Sequence, residues 1–525
     1  MRVLMSIKLL FERFAFAFLL LPFAFSVMLA QTETPPAPSA AKASTIPAVK
    51  EKKLLNGLTV AVVERTNVPL VTIQLLVNSG ASSESVDKAG LANLTADMLT
   101  KGTKTKSATQ IAEAVEFLGG SINTGAGWNT STVSLTVTSD KVDQAMAILA
   151  DVVLNPGFDE KELDLLKSQA LDGLTFSLKQ PNSLAGYVAS KYTFDEHPAG
   201  GTPDSIKSIT TTDVRGFHRD SYTPNNAVLI FAGDITALRA NALAAKTFSL
   251  WKRPKQPKVQ KELIQALDMA PASPPSTVVR VNGPVKPPTE TDIVNRILVI
   301  DLPKSGQAAV SYVKTVEAGR VAPDSTGSKN KASADYYRGI VLNSVLGGGY
   351  SSRLNQEIRI KRGLSYGAGS NIAWRWETAN FATRIQTKNE SAAEVASLVM
   401  TEMLRLTDAP IADGELVPRK SVLTGGFARN QETTGGLASA VADLYTFDIP
   451  VTELNHYAEK VNQIDESAMH GFAKTQLLNG DLIIVGDYSI FKDDLAKRFP
   501  NMKIDVVKAD ELNIESPTLR KSDIP

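Results

Sequence analysis

Two nine-residue stretches of this 525-residue chain match each other in kind and in place. Residues 226–234 read Asn-Ala-Val-Leu-Ile-Phe-Ala-Gly-Asp, and residues 479–487 read Asn-Gly-Asp-Leu-Ile-Ile-Val-Gly-Asp. Each is an apolar run that begins with Asn and ends in Gly-Asp, which is typical of a buried strand followed by a turn. A single stretch of this kind is common, but two at corresponding places predict a duplicated chain with two similar halves.

Proline-rich stretches mark the boundaries between the predicted parts of the chain. Residues 252–291 contain repeated prolines and separate two segments of comparable length, so they are predicted to be a linker. On this division the N-terminal domain covers residues 49–251 and the C-terminal domain covers residues 292–505. The Pro/Ala-rich residues 31–48 are predicted to form an extended tether, and the polar residues 506–525 are predicted to form a loose tail.

The two halves are predicted to repeat one order of secondary structure. In the first half, apolar runs at residues 58–63 and 70–77 favour strands, and residues 89–101 favour a helix. The corresponding stretches of the second half are residues 297–300, 309–313 and 336–346. Because strands and helices are mixed without strict alternation, the sequence predicts an α+β fold in which each domain is a mostly antiparallel sheet with helices packed on it.

One helix of the second half has a recognisable start signal. Ser391 is followed three residues later by Glu394, which is the spacing of a capping box. Val395 and Val399 then recur at helical spacing. The sequence therefore predicts a helix that begins at Ser391, with its first turn capped by that side chain.

The N-terminus has the pattern of a targeting segment. Arg2, Lys8 and Arg13 precede an apolar run over residues 15–30, as in a secretory signal. We therefore expect residues 1–30 to be a signal peptide and the protein to be exported, with a periplasmic or other extracytoplasmic location. The run is short for a membrane span, but an uncleaved N-terminal anchor that associates with the membrane stays open.

Composition narrows the classes of partner and of site. The net charge is +1, and Lys and Arg are scattered among similar numbers of Asp and Glu, so no nucleic-acid partner is expected. The absence of cysteine excludes thiolate zinc sites and a lipidated cysteine anchor, and it means that the cores must hold the chain together without disulfides. None of the four histidines lies four residues from another, so no helical histidine pair exists.

Residues 90–103, which read Gly-Leu-Ala-Asn-Leu-Thr-Ala-Asp-Met-Leu-Thr-Lys-Gly-Thr, carry the most specific pattern in the first half. The frame is similar to the metal-binding helix of the insulinase/pitrilysin-like zinc peptidases (inverzincins), which carry H-x-x-E-H there. Here Asn93 and Asp97 occupy the two histidine positions and Ala96 occupies the glutamate position. Catalytic zinc requires neutral imidazoles and a carboxylate base. The resemblance therefore implies a degenerate metal motif that binds no zinc of its own.

The third zinc ligand of the family also has no counterpart. It is a glutamate far downstream, and counting forward leads to the vicinity of Asp172, where no glutamate lies. A site for a hard cation built on Asp97 and Asp172 is a weak alternative, because calcium takes six or more oxygen ligands. A simpler alternative is an ordinary amphipathic helix with Leu91 and Met98 in the core, although that reading does not explain the surrounding frame.

The second half keeps a different part of the family pattern. Residues 346–354 read Leu-Gly-Gly-Gly-Tyr-Ser-Ser-Arg-Leu, and Arg359 and Tyr366 follow at R-x6-Y spacing. The resemblance implies that Arg359 and Tyr366 contact a peptide at a zinc centre and act as catalytic residues in trans. It also implies that the glycine loop lies close to an extended peptide and makes Gly347, Gly348 and Gly349 substrate-binding residues. Taken singly, the glycines are compatible with a helix end, Arg359 with a surface ion pair and Tyr366 with a core position.

The resemblance implies two homologous α+β domains that face each other as a clamshell around a peptide chamber. The favoured function is a zinc-less subunit of a heterodimeric metallopeptidase, similar to the mitochondrial processing peptidase, in which a zinc-bearing partner binds the metal and this chain binds none. Alone, the chain is predicted to be inactive. The alternative is a non-enzymatic peptide-binding or assembly subunit of the same fold. A two-lobed solute-binding protein would instead require parallel α/β lobes.

Overall fold

The computed structural model describes residues 46–252, 294–322, 330–516 and 518–521. The predicted signal peptide, most of the tether and nearly all of the linker lie outside the described residues. The described residues belong to one structural unit. Within the described ranges, no helix is both long enough and apolar enough to cross a membrane.

The first half is built on a six-stranded sheet in which four of the five strand pairs are antiparallel. Its spatial order is β1-β2-β6-β3-β5-β4, and the parallel pair is β2 with β6. The strands are β1 (Val49–Lys53), β2 (Thr59–Glu64), β3 (Leu70–Val77), β4 (Ser121–Ala126), β5 (Ser131–Thr138) and β6 (Ala227–Gly233).

Helices alternate with these strands along the first half of the chain. They are α1 (Leu91–Met98), α2 (Ala108–Phe117), α3 (Val142–Leu154), α4 (Glu160–Ser177), α5 (Pro181–Tyr192), α6 (Pro203–Ser208), α7 (Thr211–Ser221) and α8 (Ala237–Phe248).

The second half contains another six-stranded sheet, with the order β11-β12-β8-β13-β7-β14, and a separate two-stranded ribbon of β9 and β10. In the larger sheet, β7 runs parallel to both β13 and β14, and the remaining pairs are antiparallel. The strands are β7 (Val294–Asp301), β8 (Ala308–Val316), β9 (Val321–Ala322), β10 (Lys331–Ala332), β11 (Ser365–Trp374), β12 (Ala379–Thr387), β13 (Gly480–Gly486) and β14 (Ile504–Lys508).

Helices of the second half follow the same order as those of the first. They are α9 (Ala334–Leu346), a π-helix (Asn355–Ile360), α10 (Ala392–Asp408), α11 (Asp413–Asn430), α12 (Thr434–Thr446), α13 (Tyr457–Gln463), α14 (Glu466–Gln476) and α15 (Tyr488–Arg498).

The predicted duplication is confirmed strand by strand. The order β2-β6-β3-β5-β4 of the first sheet matches β7-β13-β8-β12-β11 of the second, with the same parallel and antiparallel directions. The two apolar nine-residue stretches form β6 and β13, and every residue of both strands is buried. The predicted α+β class with two homologous, mostly antiparallel domains is therefore confirmed.

The halves are joined because each contributes one helix to the sheet of the other. Leu184 and Val188 of α5 lie in one apolar cluster with Val313 of β8. In the reciprocal cluster, Leu437 of α12 packs with Ile230 of β6. Burying apolar surface in this reciprocal way ties the stability of each half to the other.

Two local expectations are wrong. Residues 506–525 are not a loose tail over their described part, because β14 pairs with β7 and Leu519 is fully buried in the layer beneath α5. The Ser391 side chain caps nothing, since a 3-10 turn over Asn389–Ser391 holds Ser391 at φ −98° and ψ −2°. An N-cap residue needs an extended backbone to reach the first turn with its side chain.

Candidate functional site

Helix α1 is the element that carries the degenerate metal motif, and its start is fixed by a buried carboxylate. The Glu84 side chain has no solvent exposure and accepts hydrogen bonds from the Gly90 backbone N–H at 2.8 Å and the Ala92 backbone N–H at 2.6 Å. Gly90 adopts φ 94°, a left-handed conformation that glycine tolerates at this N-cap position. Burial raises the pKa of Glu84 to about 7, opposed by these backbone N–H groups.

Both polar atoms of the Asn93 side chain are engaged in structural hydrogen bonds. Its Nδ2 donates to the Ala199 carbonyl oxygen at 2.7 Å, and its Oδ1 accepts from the Ala126 backbone N–H at 3.3 Å. Asn93 thus ties α1 both to the edge strand β4 and to the loop before α6. At the glutamate position, Ala96 is fully buried and has no polar group.

Asp97 is half-buried on the same helix. Burial raises the pKa of Asp97, and the positive charge of Lys101 opposes that rise. Asp172, the residue nearest the expected third ligand, is exposed on α4. Among the described residues, no three His, Cys, Asp or Glu side chains come together in a group that could bind a metal ion. The donor set at this position therefore does not fit zinc, and no catalytic step is assigned to a metal bound here.

A loop that the sequence interpretation left without a role connects this helix to the second half. The His197 imidazole lies against the Ala81 carbonyl oxygen, with Nε2 at 3.1 Å, and its Nδ1 is 3.7 Å from a carboxylate oxygen of Glu84. The same ring packs on Trp128, and the Arg375 guanidinium lies 4.9 Å from the Trp128 ring centre. The run from His197 to Thr202 looks like part of the family's first half, but the resemblance assigned His197 no role, and Glu84 lies outside every recognisable pattern.

A cleft of about 490 Å³ opens between the two halves beside this loop. Its first wall is α5 with the residues that follow it, and its second wall is formed by residues of β8, β11 and β12. The two walls are joined by Glu196, which forms an ion pair with Arg375 at 2.9 Å and accepts a hydrogen bond from Asn380 at 2.9 Å. Arg384 of β12 also lines the cleft and is exposed. Polar and apolar groups line the cleft in about equal measure, and both halves contribute to it.

The glycine loop of the second half begins where α9 ends. Gly347 approaches β11 so closely that a Cβ atom would overlap the Ser370 backbone nitrogen, and a Cβ on Gly348 would lie 2.8 Å from the Ser344 Cα. Gly349, in contrast, has open space around it. Packing therefore explains the first two glycines, and only Gly349 of the three is unconstrained by neighbours.

Side chains next to the loop hold it against α11. Arg353 forms a bidentate ion pair with Glu415, with N–O distances of 2.8 and 2.7 Å. Arg419 is buried and donates to the Ser351 hydroxyl at 2.9 Å and to the Ser351 carbonyl oxygen. These contacts fix the backbone from which the next segment projects.

Arg359 and Tyr366 project from this fixed backbone into solvent. Arg359 lies in the π-helix, a rare element that is frequent at functional sites, and its guanidinium lies 5.2 Å from the centre of the Tyr350 ring. Tyr366 is 92% exposed at the start of the edge strand β11. Within the described part of the chain, neither residue has a hydrogen bond or ion pair to Asn93 or Asp97, so the structure does not join the two sequence-predicted sites directly.

Two family descriptions match successive parts of this chain. "Insulinase (Peptidase family M16)" matches residues 59–191, and "Peptidase M16 inactive domain" matches residues 208–422. The chain belongs to the insulinase-like peptidase family. Its degenerate helix lies in the first matched region, and the glycine loop with Arg359 and Tyr366 lies in the second.

Relatives in several bacteria carry names that refer to zinc proteases. The chain is 25% identical over 384 residues to an uncharacterized zinc protease of Rickettsia felis, covering 72% of this chain and 83% of that protein. It is 24% identical over 444 residues to one of Mycobacterium leprae, covering 83% of this chain and 91% of that protein. These names describe the relatives, and the donor set at Asn93, Ala96 and Asp97 differs from the metal motif of the insulinase-like family.

Solved structures share the fold of this insulinase-like chain. A peptidase M16 inactive domain from Pseudomonas fluorescens superposes with a TM-score of 0.68 at 24% identity, covering 83% of this chain and 98% of that one. A protease from Helicobacter pylori superposes with a TM-score of 0.70 at 19% identity, covering 84% and 100%. At these identities the likeness establishes the fold alone.

Proposed function

We propose that this insulinase-like chain is a zinc-less subunit of a heteromeric metallopeptidase. In this proposal a partner subunit of the same family binds zinc, and this chain contributes Arg359, Tyr366 and part of the wall of a peptide chamber. The observation that carries the proposal is that Tyr366 is 92% exposed and that Arg359, seven residues earlier, has no ion pair among the described residues, on a backbone fixed by buried contacts.

The first support is the state of the degenerate motif. Catalytic zinc takes neutral imidazoles at this position, but Asn93 offers only a neutral amide, whose Oδ1 and Nδ2 connect α1 with β4 and with the loop at Ala199. Ala96 cannot take a proton from water, because it has no base. Hydrolysis that depends on zinc would therefore require the metal and the base of another subunit.

The second support is that neither simple alternative for the Arg/Tyr pair fits its surroundings. A core tyrosine would be covered, whereas Tyr366 is 92% exposed. A surface ion pair would place a carboxylate on Arg359, whereas its described contact is the Tyr350 ring. Tyr and Arg are enriched among the residues that contribute most to binding at protein interfaces.

The chemistry of such a pair suits peptide hydrolysis. When water attacks a peptide carbonyl, negative charge develops on its oxygen, and a Tyr366 hydroxyl placed there would donate a hydrogen bond to it. The planar fork of Arg359 would hold a neighbouring carbonyl oxygen of the same peptide. A well-placed donor of this kind contributes about 2.7–4 kcal/mol to transition-state stabilisation, which corresponds to about 10²–10³ in kcat.

The test uses the chain together with a zinc-bearing member of its family, either co-purified from the native source or added to the purified protein. Peptide cleavage is expected from the mixture and not from this chain alone. Arg359→Ala and Tyr366→Phe should each lower kcat by about 10²–10³ without releasing the partner. Arg362→Ala is the matched control, because Arg362 is an exposed neighbour that forms an ion pair with Glu357.

Several results would contradict this proposal. The isolated chain could bind about one zinc per molecule, or it could cleave peptides without a partner. If the partner were fully active with the Arg359→Ala/Tyr366→Phe double variant, the non-enzymatic alternative would be favoured. That alternative is supported by the cleft between the halves, which could bind a peptide without cleaving it. The non-enzymatic alternative predicts that the double variant still binds peptide and that the partner's rate of peptide cleavage is unchanged.

The location of the protein is proposed on the sequence alone. The basic and apolar pattern of residues 1–30 favours export to the periplasm or another extracytoplasmic space. If the segment is retained, it would also bring the chain to the membrane surface. N-terminal sequencing of the protein from its native source separates a cleaved signal from a retained anchor.

A further inference from the structure

The cleft between the halves carries a positive charge that its own lining does not balance. Three charged side chains line it, namely Glu196, Arg375 and Arg384. Glu196 and Arg375 form a bidentate ion pair, with N–O distances of 3.1 and 2.9 Å, and so neutralise each other. The Arg384 side chain has no ion pair and no hydrogen bond to any residue that the structure describes. An anionic group is therefore favoured in this cleft over a cation.

The fold does not require an arginine at this position. Asn380, Ala382 and Arg384 alternate along β12, so their side chains share the face of the sheet that lines the cleft. The cross-strand neighbour of Arg384 on β11 is Gly369, which has no side chain for it to contact. The counterpart of β12 in the first half is β5, Ser131–Thr138, which contains no charged residue. Since the equivalent strand folds without a charge, packing gives no reason for Arg384.

Neutral polar side chains on both walls of the cleft also have free hydrogen-bonding groups. Asn182, Ser183 and Tyr187 line it from α5, and Asn371 lines it from β11. Within the described ranges, none of these four side chains takes part in a hydrogen bond. The hydroxyls can donate, and the two amides can both donate and accept, which suits the N–H and C=O groups of a peptide backbone.

The size and the shape of the cleft suit a short segment of chain. Its volume of about 490 Å³ lies in the range of pockets that bind small ligands. Gly186 on the α5 wall leaves room, because a Cβ atom there would have no neighbour within 4 Å. Glycine in mid-helix weakens α5, and the packing of the helix gives no reason for that loss. A larger side chain at this position would fill part of the cleft.

We propose that the cleft between the halves binds a short peptide segment through a carboxylate group that Arg384 holds. The amide and hydroxyl side chains of α5 and β11 bind the backbone around that group. An acidic side chain and a C-terminal carboxylate present the same chemistry, and the experiment separates them. The choice of a peptide rests on the proposed function in either of its forms, whereas the preference for a carboxylate rests on Arg384. Arg359 and Tyr366 do not line the cleft, so binding here requires neither zinc nor a partner subunit.

The first experiment measures binding of four tripeptides to the full-length protein, without a partner, by calorimetry and saturation-transfer NMR. Acetyl-Ala-Glu-Ala-amide carries an acidic side chain, and acetyl-Ala-Gln-Ala carries a C-terminal carboxylate. Acetyl-Ala-Gln-Ala-amide is neutral, and acetyl-Ala-Lys-Ala-amide carries a cation. At least one of the two carboxylate peptides should bind with a Kd of about 1 mM. The neutral peptide should bind at least about tenfold more weakly than it, and the cationic peptide should be the weakest. The tighter of the two carboxylate peptides identifies the source of the group.

The second experiment repeats these measurements on variants of the cleft. Arg384→Gln should make the carboxylate peptide bind as weakly as the neutral one, whereas Arg384→Lys keeps the charge and should keep a preference for the carboxylate. Arg429→Gln is the matched control, because Arg429 is exposed on α11 and does not line the cleft.

Gly186→Leu places a side chain in the cleft and should abolish binding of all four peptides. Its control is Gly173→Leu on α4, where a Cβ atom also has no neighbour within 4 Å but does not face the cleft. Gly173→Leu should leave binding unchanged.

Several outcomes would overturn this site. Absence of saturable binding by every peptide would contradict it outright, and equal binding of neutral and carboxylate peptides would contradict carboxylate recognition. Unchanged binding by Gly186→Leu would place the peptide elsewhere. An equal loss in Arg384→Gln and Arg429→Gln would mean that the net charge of the protein attracts anions without a specific site. All of these measurements use the chain alone, so their failure leaves the test of Arg359 and Tyr366 with a partner unaffected. Carboxylate-selective binding together with an inactive mixture would overturn only the shared catalysis.

Discussion

Asn93 and Arg359 belong to related parts of the two halves, but their surroundings differ. Asn93 lies on α1, and its side chain is bonded on both sides to the protein. Arg359 lies in the π-helix that follows α9, the counterpart of α1, and it projects outward next to Tyr350. The degenerate first site has become part of the internal framework, whereas the second presents its polar groups to solvent.

This difference separates structural from functional residues within one duplicated fold. Polar groups that satisfy one another inside the protein stabilise it but are not available to a substrate. Tyr366 contributes little to stability, because its ring is 92% exposed on an edge strand. On the proposed function, the chain has lost one site to packing and keeps another for a partner. The surroundings of the side chains distinguish the two sites, whereas the sequence gives only their positions.

The largest expected effect concerns the buried carboxylate that begins α1. The folded-state pKa of Glu84 is raised to about 7 from its ordinary value of 4.5. The folded state therefore binds the proton more tightly than the unfolded state, so this group's contribution is fully present below pH 4.5 and is lost as the pH rises through about 7. The loss amounts to about 3 kcal/mol of unfolding free energy.

Glu84→Gln tests this by urea denaturation at a series of pH values. The variant should lack this decline between pH 4.5 and 7, while Glu160→Gln, at an exposed position on α4, should keep the wild-type profile. Identical pH profiles for Glu84→Gln and the wild type would mean that Glu84 is ionised in the folded protein throughout this range. The framework role assigned to the first site would then lose its main electrostatic feature.

The repeat and the fold class could be predicted because the apolar composition of strands β6 and β13 indicates that both are buried. A repeated tetrapeptide also indicates the duplication. The sequence Tyr-Thr-Phe-Asp occurs at residues 192–195 and again at residues 445–448. In both copies the Asp adopts a left-handed backbone, with φ 50° at Asp195 and φ 49° at Asp448. An identical tetrapeptide at the ends of the exchanged helices α5 and α12 would have located that exchange.

Other features could not be read from local sequence. The roles of Glu84, His197 and Arg375 depend on loops from both halves that meet only in the folded chain. The prediction of a loose tail over residues 506–525 is wrong because it rests on their mostly polar composition. Two apolar residues among them, Val507 and Leu519, pack beneath α5. Motif spacing identifies residues that share one element, whereas these contacts join distant elements.

The glycine loop next to Arg359 and Tyr366 is expected to be held firmly against β11. Gly347→Ala should destabilise the protein by about 2 kcal/mol, because the new Cβ would overlap the backbone of β11 at Ser370. Gly349→Ala should change stability by less than about 0.5 kcal/mol, since nothing lies near its Cβ. Thermal and urea unfolding of the two variants measures the contrast, and equal effects would show that the loop is not held against β11.

The smallest expected effects are changes in unfolding free energy caused by one substitution in each of the two regions. Asn93→Ala removes two hydrogen bonds, at 2.7 and 3.3 Å, and should cost about 1–2 kcal/mol of unfolding free energy. Tyr366→Phe removes a hydroxyl from an exposed ring and should change stability by less than about 0.5 kcal/mol. A residue that serves a partner should contribute little to the stability of its own chain. An Asn93→Ala variant as stable as the wild type, or a Tyr366→Phe variant destabilised by about 1–2 kcal/mol, would therefore contradict the assignment of Asn93 to the framework and of Tyr366 to function.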